Sequence, residues 1–341
     1  MSPLDVLIAS YLPPDLVEQI AETDPRLRVH YHPELLPEPR WPADHVGTAR
    51  TLSAEQDDQW TRLLASADVL FDFDWRRPAE TLTQSPRLRW VQATAAGVGT
   101  RMATLGLRHT GLTVTTASGV HAGPLAEFAL AGILYFARDL PGLAADRRDR
   151  LWHPGGVTEL AGRHALIVGA GQIGTRIAEL LAAFDVTSTG VVRRPRDLGA
   201  PFTASLTRDQ LAARLPTADI LVVAAPITDE TEAMIGARQL AALPDGAIVV
   251  NVGRGATIDE DALVDALRSA RVRAAVLDVT RVEPLPPESP LWDLDSVILS
   301  PHAAANAPSE NAKIVDIFTD NLRRFLDGSP LRNLYDHAAG Y

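Results

Sequence analysis

The sequence predicts an α/β protein made of two doubly wound parallel-sheet domains, and three observations lead there. The chain has 341 residues, and domain cores of roughly 150 residues are usual, so two are expected. Short apolar runs alternate with segments of helical spacing, the pattern of parallel strands joined by crossover helices. One such run, Ala165-Leu166-Ile167-Val168, passes directly into Gly169-Ala170-Gly171-Gln172-Ile173-Gly174 and then an amphipathic segment. That order means strand, tight turn and helix, where a glycine cluster alone would mean only a turn.

Taken in chain order, Val6 to Ala9, Val69 to Phe71 and Leu88 to Val91 read as buried strands. Leu12 to Ile20 and Trp60 to Ala65 carry helical spacing. The stretch Pro33 to Pro42 holds four prolines, which lack the N–H that a ladder or helix interior needs, and is read as a loop. Gly123 to about Ala145 is expected to be one long helix, with Pro124 tolerated near its first turn. Trp152 to Gly156 reads as a loop. A second set of strands follows at Ala165 to Val168, Thr187 to Val192, Ile220 to Ala224, Ile248 to Asn251, Ala274 to Leu277 and Val297 to Leu299. Beyond Pro301 an amphipathic helix with Ile314, Ile317, Phe318, Leu322 and Phe325 on one side precedes a polar tail.

Composition excludes several classes of protein. No apolar run approaches the ~18–20 residues that cross a bilayer. The N-terminus, Met1-Ser2-Pro3-Leu4-Asp5, has neither a basic region nor a cleavage site, and there is no cysteine; the expected location is the cytoplasm. Without cysteine there is no disulfide, thiolate catalysis or Cys-ligated zinc, and no metal site is expected. A net charge of −11 argues against nucleic-acid or membrane partners and requires local positive charge wherever an anion binds. Lys313 is the only lysine, which leaves almost no candidate for Schiff-base chemistry.

The glycine loop has a definite physical task. Gly169 permits the tight turn, Gly171 lets backbone approach a pyrophosphate, and Gly174 lets the helix pack closely on the sheet. The free N–H groups and dipole of the helix start then hold the phosphates, so Gln172 and Ile173 join the candidate cofactor residues. In the helix, Ile173, Ile177, Leu180, Leu181 and Phe184 stand at core spacing. The next strand should end at the adenosine ribose, where NAD-selective folds often place an acidic residue. Here it ends in Val191-Val192-Arg193-Arg194-Pro195-Arg196, with no carboxylate to repel a 2′-phosphate and guanidiniums that can grip one. Arg193 and Arg194 are therefore candidate contacts, NADP is the preferred cofactor and NAD the other. A solvated basic turn is the alternative.

Three further segments follow: Asn251-Val252-Gly253-Arg254-Gly255, Leu277-Asp278-Val279-Thr280-Arg281-Val282-Glu283-Pro284 and Leu299-Ser300-Pro301-His302. In this order and downstream of the glycine loop, they resemble the D-isomer-specific 2-hydroxyacid dehydrogenases, a family that includes glyoxylate/hydroxypyruvate reductases and D-lactate and phosphoglycerate dehydrogenases. The resemblance runs from about Ala93 to Pro308. It implies a Rossmann dinucleotide-binding domain at 118–301 and a flavodoxin-like substrate domain at 1–117, completed by the C-terminal segment 302–341. It also implies an active site between the domains and a homodimer formed through the dinucleotide domain, with Leu140 to Leu160 as the interface candidate.

By the same resemblance Arg254 binds substrate, His302 is the acid/base and Glu283 its partner. The chemistry asks for these types independently. A planar guanidinium takes a 2-keto acid's carboxylate in a two-point fork. Charge developing on the keto oxygen needs a proton donor active near neutrality, which is histidine's range. A carboxylate beside the imidazole favours its charged form and fixes its orientation. Singly, each residue could be an ordinary surface or structural group; together, each following a separate strand of one sheet, they make a site. The resemblance places Val252, Asp278, Pro226 and Thr231 near the cofactor, with capping of its turn as the alternative for Asp278. It places Ala96 and Gly97, in Thr94-Ala95-Ala96-Gly97-Val98-Gly99, at the substrate carboxylate; a plain glycine turn is the alternative. Ser118 to Gly123 looks like the interdomain crossover, and His121 within it is read as a hinge or structural residue.

The chain departs from the family pattern at Thr280 and Arg281, which bears on substrate and activity, and at Asp185, where glycine is usual. The expected activity is transfer of a hydride between NAD(P)H and C2 of a small 2-keto or 2-hydroxy acid. The other readings are a formate- or phosphite-type dehydrogenase on the same fold, or an NAD(H)-sensing corepressor whose turnover is incidental.

Overall fold

A computed structural model describes residues 3–340. The chain divides into two compact units, one comprising Ala122–Ala305 and the other the segments that end at His121 and resume at Asn306. These junctions fall four residues beyond the expected boundaries at 117 and 301.

The smaller unit is built on five parallel strands, β1 (Leu4–Ile8), β2 (Leu27–His30), β3 (Val69–Phe71), β4 (Trp90–Gln92) and β5 (Thr113–Thr115), in the order β2-β1-β3-β4-β5. That is the flavodoxin-like order. The C-terminal helix Glu310–Leu326 covers one face, where Ile314, Val315, Phe318 and Leu322 are buried with Val6, Ile8, Phe71 and Trp90. Phe318 packs edge-on to Phe71 with ring centroids 5.2 Å apart. The opposite face takes the helix Ala54–Ser66, which buries Trp60 and Leu64. A reciprocal cap starts that helix: Gln56 N–H donates to Ser53 Oγ (3.2 Å), and Ser53 N–H donates to Gln56 Oε1 (3.0 Å). Such a cap satisfies two of the donors that a helix start leaves open.

The larger unit holds seven parallel strands: β6 (His164–Val168), β7 (Thr187–Val192), β8 (Ala204–Thr207), β9 (Ile220–Val223), β10 (Ala247–Asn251), β11 (Val272–Leu277) and β12 (Val297–Leu299). Their order is β12-β11-β10-β9-β6-β7-β8, a Rossmann sheet whose direction of winding reverses beside β6. Alternate residues feed two cores. Ile167, Val222, Val250 and Val276 pack with Ile133, Ile177 and Leu181, while Leu166, Leu221, Val249 and Ala275 pack with Leu240, Leu263 and Leu267. Burying a side chain of this size stabilises by about 1.5–3 kcal/mol each, so the sheet needs cover on both sides.

Several expectations need correction. The strand expected at Leu88 to Val91 is Trp90–Gln92, and the proline-rich loop contains a turn of 3₁₀-helix at Pro33–Leu35. The single helix expected from Gly123 to Ala145 is two, Ala122–Ala137 and Leu140–Asp149, bent by 56°. Asp139 takes φ +50° between them. Pro141 in the first turn of the second helix cannot donate an i→i−4 bond and disfavours α geometry at the residue before it. Arg273 of β11 instead closes the first helix, donating from Nη2 to Phe136 O at 2.7 Å. Phe184 is 38% exposed, lying past the end of the helix Gln172–Ala182 rather than in the core. Asp185 adopts φ +56°, a left-handed turn residue that aspartate tolerates better than most side chains. Among the described residues no single helix is long and apolar enough to cross a membrane.

Candidate active site

Arg254, Glu283 and His302 leave three neighbouring strands, β10, β11 and β12. Each lies in the loop beyond a strand's carboxyl end, the side on which open α/β sheets bind ligands. The first loop is shaped by Asn251, a buried side chain at the end of β10. Its Nδ2 donates to Arg254 O (3.1 Å), and its Oδ1 accepts from Gly253 N (3.1 Å). Thr257 Oγ1 also donates to Arg254 O (2.6 Å). The Arg254 guanidinium donates from Nη1 to the Gly253 carbonyl at 2.8 Å. Burial pushes its pKa down from the ordinary arginine value, and the carboxylates of Glu283 and Asp278 pull it back. Arg254 thus lies in the electrostatic field of the second loop.

The glycines beside Arg254 are there for close approach. A Cβ on Gly253 would sit 2.6 Å from Ala225 O, and one on Gly255 would collide with the Thr280 carbonyl. The arginine loop therefore lies directly against the loop that carries Glu283. Within that loop Thr280 N donates to Glu283 Oε1 (3.1 Å), and Thr280 Oγ1 donates to Val282 O (2.8 Å). Arg281 turns back to the helix Glu260–Arg268, bonding from its N–H to Glu260 Oε2 (2.9 Å) and from Nη1 to Asp261 Oδ2 (3.1 Å). Of the two departures from the family pattern, Thr280 holds the glutamate and Arg281 faces other carboxylates.

Glu283 Oε2 and His302 Nδ1 are 2.8 Å apart. A carboxylate accepts, so Nδ1 donates and Nε2 is the nitrogen left to exchange a proton with a ligand. The His302 side chain is 46% exposed, as a group that must meet a substrate should be. Its backbone is left-handed, φ +54°, a conformation that costs on the order of 1 kcal/mol and that surrounding bonds must enforce.

Asp278 is only 3% exposed. Its Oδ1 accepts from Ser300 Oγ (2.7 Å) and Ala304 N (3.0 Å). The side chain is thus turned into the histidine loop, close to the capping alternative and away from a purely cofactor-facing placement. The side chain of Val252 is packed in the core and its N–H donates to Val223 O at 2.9 Å.

The glycine loop suits a pyrophosphate. Gly169 has φ +95°, and a Cβ on it would sit 2.7 Å from Ala225 N; a Cβ on Gly174 would strike Gly169 O. Around Gly171 a Cβ would find open space, and the helix that starts at Gln172 has no side-chain cap there. Its first amides are therefore presented without a competing side chain, with Ile173 partly buried in the first turn. Thr231 Oγ1 donates to Pro226 O (2.7 Å) and accepts from Thr228 N (2.8 Å), closing the loop after β9.

At the end of β7, Arg196 Nη2 donates to Ala170 O at 3.0 Å, tying the basic run to the glycine loop. Arg193 Nε lies 3.8 Å from Glu230 Oε2, both exposed. The expectation that no carboxylate stands near the basic run is thereby overturned, because Glu230 arrives from the loop after β9, distant in sequence. Arg194 is exposed beside Arg193.

In the smaller unit Ala96 is half-buried and Gly97 exposed, beyond β4. The preceding Thr94 donates from Oγ1 to Asp72 Oδ2 at 3.0 Å. His121 Nε2 pairs with Glu310 Oε1 at 3.1 Å, a fixed structural contact. Ser300 and Glu230 carry geometry that sequence reasoning missed, and Thr280, singled out as a departure, proves to hold the glutamate. Of the two that were missed, Ser300, two residues before the histidine, had a local signal.

Comparison with known proteins agrees with this geometry. The family described as D-isomer specific 2-hydroxyacid dehydrogenase, NAD binding domain, matches residues 130–304. A glyoxylate reductase of Aeropyrum pernix is 36% identical over 285 residues, 79% of this chain and 82% of that one. A glyoxylate/hydroxypyruvate reductase A of Salmonella heidelberg is 30% identical over 275 residues, 78% of this chain and 86% of that one. The crystal structure of a D-isomer specific 2-hydroxyacid dehydrogenase from Xanthobacter autotrophicus Py2, in complex with NADPH and MES, superposes with a TM-score of 0.79 at 28% identity, covering 100% of both chains. Fold and site together are those of an NAD(P)-dependent oxidoreductase of hydroxy acids. The chain belongs to the D-isomer specific 2-hydroxyacid dehydrogenase family.

Proposed function

We propose that the protein reduces a small 2-keto acid of the glyoxylate or hydroxypyruvate type, with NADPH preferred over NADH. The observation that carries this reading is the 2.8 Å contact between Glu283 and His302, with Arg254 electrostatically coupled to the same glutamate. The dinucleotide, when bound, supplies or accepts the hydride at C2. Arg254 holds the substrate carboxylate in its fork. His302 Nε2 gives a proton to the keto oxygen as it gains charge, while Glu283 stabilises the imidazolium and keeps the ring oriented. Gly169, Gly171, Gln172, Ile173 and Gly174 hold the pyrophosphate, Arg193 and Arg194 the 2′-phosphate, and Pro226, Thr231 and Asp278 border the cofactor.

A homodimer through the larger unit completes the proposal. Leu143, Leu151 and Trp152, the last fully exposed, lie within the Leu140 to Leu160 segment. Large exposed apolar groups concentrated on one segment suit an interface. Sedimentation of wild type against Trp152→Glu tests it, and a wild-type monomer at micromolar concentration would refute it.

The deciding experiment for function is oxidation of NADPH and NADH against glyoxylate, hydroxypyruvate, pyruvate and bulkier 2-keto acids. The expected result is kcat/KM of about 10⁴ M⁻¹s⁻¹ or more on one of the first two with NADPH. Absence of turnover on the whole panel would overturn the proposal.

A further inference from the structure

The histidine loop has an internal brace that the chemistry assigned to Arg254, Glu283 and His302 does not use. Every backbone N–H from position 300 to 304 is engaged, Pro301 having none. Ser300 N donates to Leu277 O (2.8 Å) and His302 N to Asp278 O (2.9 Å). Ala303 N donates to Ser300 Oγ (3.3 Å) and Ala304 N to Asp278 Oδ1 (3.0 Å). The Ser300 hydroxyl closes this set by donating to the same Asp278 Oδ1 at 2.7 Å. One hydroxyl therefore accepts from the amide just after His302 and donates to the buried carboxylate that anchors the next amide.

This matters because His302 sits at φ +54°. Left to itself a non-glycine residue prefers negative φ, and the imidazole would then leave the line that brings Nδ1 to Glu283 Oε2. The bonds on either side of His302 converge on Asp278 and Ser300. Asp278 is fixed by burial at the end of β11, whereas Ser300 is the only side chain that joins the turn to itself and to Asp278 together.

We propose that Ser300 is a positioning residue: its hydroxyl, bridging Ala303 N and Asp278 Oδ1, holds His302 in the left-handed turn that aims the imidazole at Glu283. The proposal rests on the reading of His302 as proton donor. A donor displaced by about 1 Å can lose on the order of 10²-fold in rate, whereas groups that grip cofactor and substrate lie on other loops.

The test uses the full-length protein with NADPH and the best keto acid of the panel. Ser300→Ala should lower kcat about 10–100-fold, leave KM and NADPH affinity within about twofold, and be rescued by Ser300→Thr, which keeps the hydroxyl. Ser300→Cys, close in shape but a weak donor, should behave like Ser300→Ala and serves if the alanine variant folds poorly. In cofactor-free protein the hydrogen-bonded Nδ1–H proton of His302, observed by ¹⁵N-edited NMR, should be lost in Ser300→Ala and present in Ser300→Thr. Added to His302→Gln, Ser300→Ala should cause no further loss, since residues acting through one another are not additive. An unchanged kcat, an undisturbed Nδ1–H signal, or a further full loss in the double variant would overturn the proposal. Should His302→Gln itself retain wild-type kcat, the acid/base reading fails first, and the two failures are thereby distinguished.

Discussion

Glu283 Oε2 accepts a hydrogen bond from Nδ1 of His302 at 2.8 Å, and Thr280 N binds the other oxygen of the same carboxylate at 3.1 Å. The glutamate is thus held at both ends, with one oxygen committed to backbone and one to the imidazole. His302→Gln is expected to lower kcat by ~10²–10⁴-fold. Glu283→Gln carries no charge and has one acceptor oxygen in place of two, so it can serve Nδ1 only by turning its amide NH2 toward Thr280 N; it should lose less than His302→Gln, roughly 10-fold or more. Steady-state kcat at saturating NADPH checks both, and a Glu283→Gln variant with wild-type kcat would remove the carboxylate from the proton transfer.

Arg254 should govern substrate affinity. Its side chain is held by its own loop and lies in the field of Glu283 and Asp278. Arg254→Ala is expected to raise KM for the keto acid by about 10²-fold or more, in keeping with the loss of a charge-assisted two-point contact. Arg254→Lys should recover little, because an ammonium cannot reproduce the fork. NADPH affinity measured by fluorescence should stay unchanged. An unaltered KM in Arg254→Ala would remove the residue from the site.

Cofactor choice should respond to residues far from the proton donor. Neutralising Arg193 and Arg194 together is expected to erode NADPH preference by about tenfold or more, while Glu230→Gln should strengthen it by relieving Arg193 of a competing carboxylate. The ratio of kcat/KM for the two cofactors reads this directly. A ratio unmoved by the arginine substitutions would leave the basic run a solvated turn.

Acid should weaken the smaller unit through a buried histidine. Burial pushes His45 below the ordinary histidine value, while its Nδ1 meets Ser10 Oγ at 3.1 Å. Protons therefore bind the unfolded chain more readily. The stabilisation is complete above the unfolded pKa of about 6.5 and is lost as pH falls through the lower folded value. Next to it, burial of Asp44 acts to raise its pKa, but Arg40 and the backbone amides of Arg40 and Gly47 hold it well below the usual carboxylate range. That contribution is present above about pH 4 and disappears below it. Tm should fall between pH 7 and 5, and His45→Gln should flatten that part of the curve. An identical slope in the variant would locate the effect elsewhere.

Much of the architecture was legible because buried parallel strands are written as apolar runs. Val69 to Phe71, Ile248 to Asn251 and Val297 to Leu299 were readable from the chain alone. β2 and β8 were missed because they lie at sheet edges, half-exposed, and at four residues each, Leu27–His30 and Ala204–Thr207, their apolar–polar alternation is too short to stand out. β5, Thr113–Thr115, has one valine between two threonines and so makes no apolar run. The break at Asp139 escaped notice although Pro141 announced it, since the apolar spacing on either side reads continuously. In the site, Arg254, Glu283 and His302 stood out by type and position. Glu230 did not, because its proximity to Arg193 depends on how the loop after β9 folds back, which no local pattern encodes. Val252, beside Arg254 in the same segment, has a side chain that serves the core.

The collision that any side chain at position 255 would make with the Thr280 carbonyl joins the anion-gripping loop and the proton-handling loop into one mechanical part. Selection cannot retune either alone: a methyl at 255 that nudged Arg254 would also drag Glu283 away from its imidazole. The departures at Thr280 and Arg281 sit in this interlocked pair, so a change made there is transmitted to the arginine as well as to the glutamate.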